Sequence, residues 1–150
     1  MHVIILGGGG FRVPLIARRL AASGLPVDQL VLYDTDAARL AVIEKVLAED
    51  WEPRVTTSLD EALRGPGQHG PDQHGADLIF SALRAGGLDG RVRDERTALD
   101  LGLLGQETVG AGGLASAARA AGVADALARR IRDLAPGAWV ITMANPAGIV

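Results

Sequence analysis

Val3-Ile4-Ile5-Leu6 is an uninterrupted apolar run, rich in β-branched residues, and it ends in Gly7-Gly8-Gly9-Gly10. A strand that is apolar at every position has both faces covered, the condition found in a parallel sheet flanked by helices. The glycines allow a tight turn into a helix and leave main-chain amides open at close range, because no Cβ stands in the way. The junction therefore restricts the chain to folds in which a central strand turns directly into a packed helix. That helix is predicted from about Phe11 to Ser23, with Pro14 tolerated near its first turn and Gly24 and Pro26 ending it.

The alternation continues along the chain. Leu30 to Tyr33 predicts a second strand with Asp34 at its carboxyl end. Thr35 or Asp36 is placed to cap a helix whose apolar positions Leu40, Ile43, Val46 and Leu47 share one face. Arg54 to Thr57 predicts a short third strand, and Ser58-Leu59-Asp60-Glu61 has the form of a capping box. A fourth strand is predicted at Asp77 to Phe80, and a helix from about Leu88 to Leu101. A glycine-rich loop follows from Gly102 to Gly113. Val123, Leu127, Ile131 and Leu134 mark the apolar face of a long helix, and Trp139 to Met143 is a fifth strand. This pattern predicts an α/β fold: a doubly wound parallel sheet, Rossmann-like, with strand order 3-2-1-4-5. Residues 1–150 are read as one dinucleotide-binding domain.

Between the third helix and the fourth strand, Pro66-Gly67-Gln68-His69-Gly70 is followed by the near-duplicate Pro71-Asp72-Gln73-His74-Gly75. His69 and His74 are metal-capable, but no cage of carboxylates or thiolates accompanies them. The segment reads as a flexible insertion made by duplication.

Composition removes several classes of function. A net charge of −3 argues against a nucleic-acid groove or an anionic membrane surface as the main partner. The absence of Cys excludes a disulfide framework, a thiol nucleophile and a thiolate metal site within this stretch. No apolar run reaches membrane-spanning length, and Met1-His2-Val3 lacks a basic leader, so a soluble cytoplasmic domain is expected.

In a doubly wound sheet, ligands bind beyond the carboxyl ends of the strands. Gly7, Gly9 and Gly10, between strand and helix, suit a pyrophosphate held by main-chain amides and the positive end of a helix dipole. The fingerprint G-x-G-x-x-G would place a third glycine where Arg12 stands. Asp34, at the end of the next strand, suits a ribose diol, and its charge opposes a 2′-phosphate. NAD is thereby favoured over NADP, with Arg12 as a partial offset. A plain strand–helix turn remains the alternative for the glycines, and a helix cap the alternative for Asp34. Arg84 and Asn145 follow the fourth and fifth strands. Arg91 and Glu95, four apart on a helix, make an ion-paired face.

Four segments carry a resemblance to a known family. They are the glycine-rich start with Phe11-Arg12-Val13-Pro14, and Arg84-x-Gly86-Gly87 leading to Arg91-x-x-Asp94-Glu95-Arg96. The others are Gly105-Gln106-Glu107-Thr108-x-Gly110-x-Gly112-Gly113 and Asn145-Pro146-Ala147-Gly148. In order and spacing the chain resembles the N-terminal part of glycoside hydrolase family 4, of the 6-phospho-β-glucosidase type. The resemblance covers essentially all of the chain and about the first third of a usual family member.

The resemblance implies a redox route to hydrolysis, an exception to two-carboxylate chemistry. Bound NAD takes hydride from C3 of the sugar. The ketone acidifies C2–H, and a tyrosine base removes that proton. A divalent metal, usually Mn²⁺, stabilises the enediolate, the aglycone leaves C1, water adds, and the hydride returns. It further implies Gly7, Gly9, Gly10, Phe11, Arg12 and Asp34 as cofactor contacts. Arg91, Arg84 and Asn145 become contacts to a sugar phosphate, and Glu107 an acid that modulates the base tyrosine. The family's metal-binding Cys and His follow the Asn-Pro-Ala-Gly segment. This chain has no Cys, and its only Tyr, Tyr33, lies on the second strand. The metal ligands and the base are therefore expected outside these residues, in a catalytic part the 150 residues lack, and the chain alone is expected to be inactive. A homo-oligomer is expected of the full-length enzyme. Two other readings stay open: a 2-hydroxy-acid dehydrogenase of the malate or lactate type, which the Gln106-Glu107-Thr108 loop argues against, and a non-catalytic nucleotide-sensing module.

Overall fold

The computed structural model describes residues 1–65 and 75–148; the duplicated histidine segment, apart from its last residue Gly75, lies outside the described residues. The elements in chain order are β1 (His2–Leu6), α1 (Val13–Ala21), β2 (Gln29–Tyr33), α2 (Ala37–Leu47) and β3 (Arg54–Thr56). They continue with α3 (Leu59–Arg64), β4 (Leu78–Ser81), α4 (Gly87–Asp100), α5 (Gly110–Leu134) and β5 (Trp139–Thr142). The sheet has the order β3-β2-β1-β4-β5, as the alternation predicts. Contacts divide the chain into two compact units, Met1–Ala82 with Arg130–Ile141, and Leu83–Arg129 with Thr142–Val150.

In the first unit β1 lies between β2 and β4, parallel to both, with Ile4 opposite Val31 and Ile79. Val3, Ile4, Ile5 and Leu6 are all buried, which explains why this strand carries no polar residue. Val13 and Ala17 of α1 pack with Leu40, Ile43 and Leu47 of α2 against Val3, Ile5, Leu30 and Leu32. Val46, expected on the same face of α2, is exposed instead. The Trp51 indole N–H donates to the Ala17 carbonyl at 3.1 Å, fastening the chain after α2 to α1.

Helix starts follow local chemistry. Asp36, rather than Thr35, caps α2, accepting from the amides of Ala38 and Arg39. Ser58 caps α3 by accepting from the Glu61 amide at 3.3 Å. Only half of the expected capping box forms: the Glu61 carboxylate takes the Thr56 hydroxyl at 2.6 Å, and the Ser58 amide turns to that same hydroxyl oxygen.

The second unit is built on α4 and on α5 as far as Arg129. The stretch from Gly102 to Gly113, expected to be loop throughout, already becomes helix at Gly110. A Cβ on Gly112 would stand 2.4 Å from the Gln106 carbonyl oxygen, and one on Gly113 2.6 Å from that of Thr108. These glycines therefore let the start of α5 press against the 106–108 loop, and a glycine-rich sequence there marks close packing as well as a turn.

Two further expectations change. The apolar face of α5 is weakly covered: Gly112, Gly113 and Ala117 are its buried residues, while Val123 is exposed. β5 is present, but all four of its residues are exposed, as befits the end position in the sheet order.

Candidate functional site

The turn from β1 to α1 occupies Gly7 to Arg12, so the helix begins at Val13 and not at Phe11. Gly7 has φ +83°, a conformation that favours glycine. The amides of Gly7 and Gly8 both donate to the Tyr33 carbonyl, at 2.9 and 2.7 Å. The Gly9 amide donates to Asp34 Oδ2 at 2.9 Å, and that of Gly10 to the Gly7 carbonyl at 3.0 Å. All four glycine amides are thus engaged inside the turn. The next two, those of Phe11 and Arg12, meet no acceptor among the described residues. They are the amides that open onto the N-terminal end of α1, where the helix dipole is positive.

Asp34 ties this turn to β2. Its Oδ2 accepts from Gly9 and its Oδ1 from the Asp36 amide at 3.1 Å, so it is not the cap of α2. Each oxygen keeps a second lone-pair direction for another donor. Gly8 and Gly9 are fixed by proximity: a Cβ on Gly8 would lie 2.7 Å from Leu32 Cβ, and one on Gly9 2.9 Å from Asp34 Oδ2. Arg39 closes the corner, its Nε donating to the Gly9 carbonyl at 3.2 Å. Arg12 lies over the Phe11 ring, 4.7 Å from its centroid. The Tyr33 phenol is pushed above its ordinary value by burial and then by the neighbouring Asp34 charge, so it stays protonated at neutral pH.

The fit to a dinucleotide can be judged from these groups. Two unengaged amides at a helix N-terminus suit a diphosphate, and a carboxylate at the end of β2 suits a ribose diol. Glycine at positions 8 and 9 lets the turn pack against Leu32, Asp34 and Arg39. The residues present fit the group.

In the second unit, Glu107 stands between two arginines. Its Oε1 accepts from Arg84 Nη1, and its Oε2 is 3.4 Å from Arg91 Nη1. Arg91 Nε donates to Glu95 Oε1 at 2.7 Å. The guanidinium of Arg91 is held even more firmly protonated by the bond to Glu95 and the field of Glu107. Arg84, Arg91 and Glu107 are therefore one cluster, while Asn145 is exposed and its carbonyl takes a long 3.5 Å contact from the Ser116 hydroxyl. Behind the cluster, Arg119 of α5 donates from Nη2 to the buried Asp94 of α4 and from Nη1 to the Ala85 carbonyl at 3.2 Å.

Sequence reasoning did not single out Gly8, Arg39 or Arg119. Gly8 is hidden inside a run where G-x-G draws attention to its neighbours. No local pattern marks an arginine that reaches back to a loop thirty residues earlier.

A family model described as family 4 glycosyl hydrolase matches residues 2–150. The chain belongs to this family. It is 43% identical over 153 residues to a probable 6-phospho-beta-glucosidase of Bacillus subtilis (strain 168), covering all of this chain and 34% of that protein. A phospho-alpha-glucosidase of Clostridium acetobutylicum is 32% identical over 158 residues, covering 99% of this chain and 33% of that protein. Among solved structures, a 6-phospho-alpha-glucosidase from gut microorganisms in complex with NAD and Mn²⁺ superposes with a TM-score of 0.83 at 34% identity. It matches 97% of this chain and 33% of its own. The chain thus spans about a third of the length of the relatives it matches.

Proposed function

We propose that this chain is the NAD-binding part of an enzyme that hydrolyses 6-phospho-glucosides. The observation that carries the reading is the β1–α1 turn, with the Phe11 and Arg12 amides unengaged beside the Asp34 carboxylate. The Phe11 and Arg12 amides hold the diphosphate, and Asp34 accepts from a ribose hydroxyl while keeping the turn closed through Gly9. Bound nicotinamide supplies a reversible hydride acceptor for a sugar carbon.

Arg84 and Arg91 offer the remaining guanidinium N–H groups to the anionic sugar phosphate, and Glu107 fixes both forks so that neither must be ordered on binding. Asn145 brings an amide donor and acceptor to sugar hydroxyls. The relatives include both alpha- and beta-glucosidases, so phosphoglucoside is the level at which the substrate is proposed.

A divalent ion does not fit these residues. The chain has no Cys, and among the described residues no three His, Asp or Glu side chains gather as a ligand set. Ligands for manganese would have to come from residues other than these. Tyr33, with its carbonyl under the glycine turn and its phenol held protonated, is no substitute for a base. Among the described residues no helix is long and apolar enough to cross a membrane, and a cytoplasmic enzyme that self-associates at full length belongs to the same proposal.

Calorimetric titration of the 150-residue chain with NAD⁺ tests the reading. Saturable one-to-one binding is expected, with no release of phenol from a chromogenic 6-phospho-glucoside by this chain alone. Absence of heat at millimolar NAD⁺ would overturn it.

A further inference from the structure

Arg39 is a cation with an unusual position. It lies in the first turn of α2, its Nε anchored on the Gly9 carbonyl at 3.2 Å. A Cβ placed on Gly9 would lie 2.7 Å from Arg39 Cβ and 2.9 Å from Asp34 Oδ2, so Arg39 and Asp34 flank the same glycine. Among the described residues Arg39 makes no ion pair, although Asp34 and Asp36 are both close in sequence and are both engaged with main-chain amides. The anchoring bond uses only Nε, and the side chain is exposed. Both terminal nitrogens are left to a ligand at this corner.

The corner matters because of what Asp34 does there. A carboxylate at the end of the second strand accepts from a ribose 2′-hydroxyl and repels a 2′-phosphate, whereas an arginine nearby accommodates that phosphate. Here both groups are present. Arg12, the offset expected from sequence, lies over the Phe11 ring on the other side of the glycine run, whereas Arg39 is bonded to the Gly9 carbonyl itself. Arg39 is the cation that shares Gly9 with Asp34.

We propose that Arg39 sets how strongly this chain distinguishes dinucleotides with and without a 2′-phosphate, by offering its terminal guanidinium N–H groups to that phosphate against the repulsion of Asp34. The inference rests on the dinucleotide reading above. A planar guanidinium fits phosphate with paired hydrogen bonds, and being already anchored it loses little rotamer freedom on engaging one.

The test is the ratio of NAD⁺ to NADP⁺ affinity, measured by calorimetry on the 150-residue chain and on Arg39→Met and Arg39→Lys. Arg39→Met is expected to widen the preference for NAD⁺ by about tenfold, the scale of one charge-assisted hydrogen bond, through weaker NADP⁺ binding. Arg39→Lys keeps the charge and is expected to fall between. If both substitutions weaken the two dinucleotides equally, Arg39 only shapes the glycine turn and the proposal falls. If neither changes the ratio, it falls as well. Failure of the unsubstituted chain to bind either dinucleotide would overturn the NAD reading itself, a different result from an unchanged ratio.

Discussion

His2 shows how one residue reads differently in sequence and in structure. It precedes the apolar run of β1, and its Nε2 is buried with no partner among the described residues. Burial pushes its pKa below 6.5, opposed by a main-chain hydrogen bond with Gly75 and the charge of Asp77. The native chain therefore keeps His2 neutral under conditions where the unfolded chain takes up a proton. Below the unfolded value the unfolded state binds more protons, so the contribution is present above about pH 6.5 and is lost as pH falls. The urea midpoint is expected to drop between about pH 7.5 and 5.5, above the range where carboxylates titrate. His2→Val should flatten that drop; an equally steep fall in the variant would remove His2 as its source. Gly8 makes the complementary point. Its identity is set by Leu32, a neighbour 24 residues away in sequence whose Cβ lies 2.7 Å from where a side chain would begin, and no local rule reveals that.

Among the elements, strands announce themselves and helix surroundings do not. β1 and β2 are legible because burial on both faces demands an unbroken apolar run, and Asp36 and Ser58 because a capping side chain has few chemical forms. The start of α5 is not legible: Gly110, Gly112 and Gly113 look like loop, and only the approach of the Gln106 and Thr108 carbonyls explains them as helix. The glycine turn was legible as a turn between strand and helix, but which of its amides are engaged depends on the Tyr33 carbonyl and Asp34. The clamp between α4 and α5 was not visible at all. Arg119 lies against Gly86 and Gly90, where a Cβ would stand 2.8 Å from its Cδ and 3.0 Å from its Nη1, and it pairs with the buried Asp94. Removing it leaves that carboxylate without its charge partner in a poorly solvated place. Arg119→Ala is expected to lower stability by about 3 kcal/mol in urea unfolding, the scale for breaking a largely buried pair. Adding Asp94→Asn should recover part of the loss, because the orphaned charge disappears. A loss unchanged by the second substitution would assign Arg119 to packing alone.

For the molecule as a whole, the question is how a chain matching a third of its relatives' length remains folded and what a ligand adds. A ligand that binds only the native state stabilises it by RT ln(1 + [L]/Kd), about 2.7 kcal/mol at a hundredfold excess over Kd. For a chain of 150 residues, each kcal/mol moves the thermal midpoint by roughly 2–4 °C, so NAD⁺ at that excess is expected to raise it by roughly 5–11 °C. The shift should belong to the unit that holds β1, α1 and β2. The Asp34→Ala substitution should cut it sharply, because the carboxylate proposed to accept from the ribose is lost and the Gly9 amide loses its partner. Glu107→Gln alters the Arg84–Arg91 cluster in the other unit, so it should leave the NAD⁺ shift intact while changing the response to glucose 6-phosphate. Scanning calorimetry with each ligand separates these cases. A NAD⁺ shift abolished by Glu107→Gln would overturn the proposal that the β1–α1 turn alone holds NAD⁺.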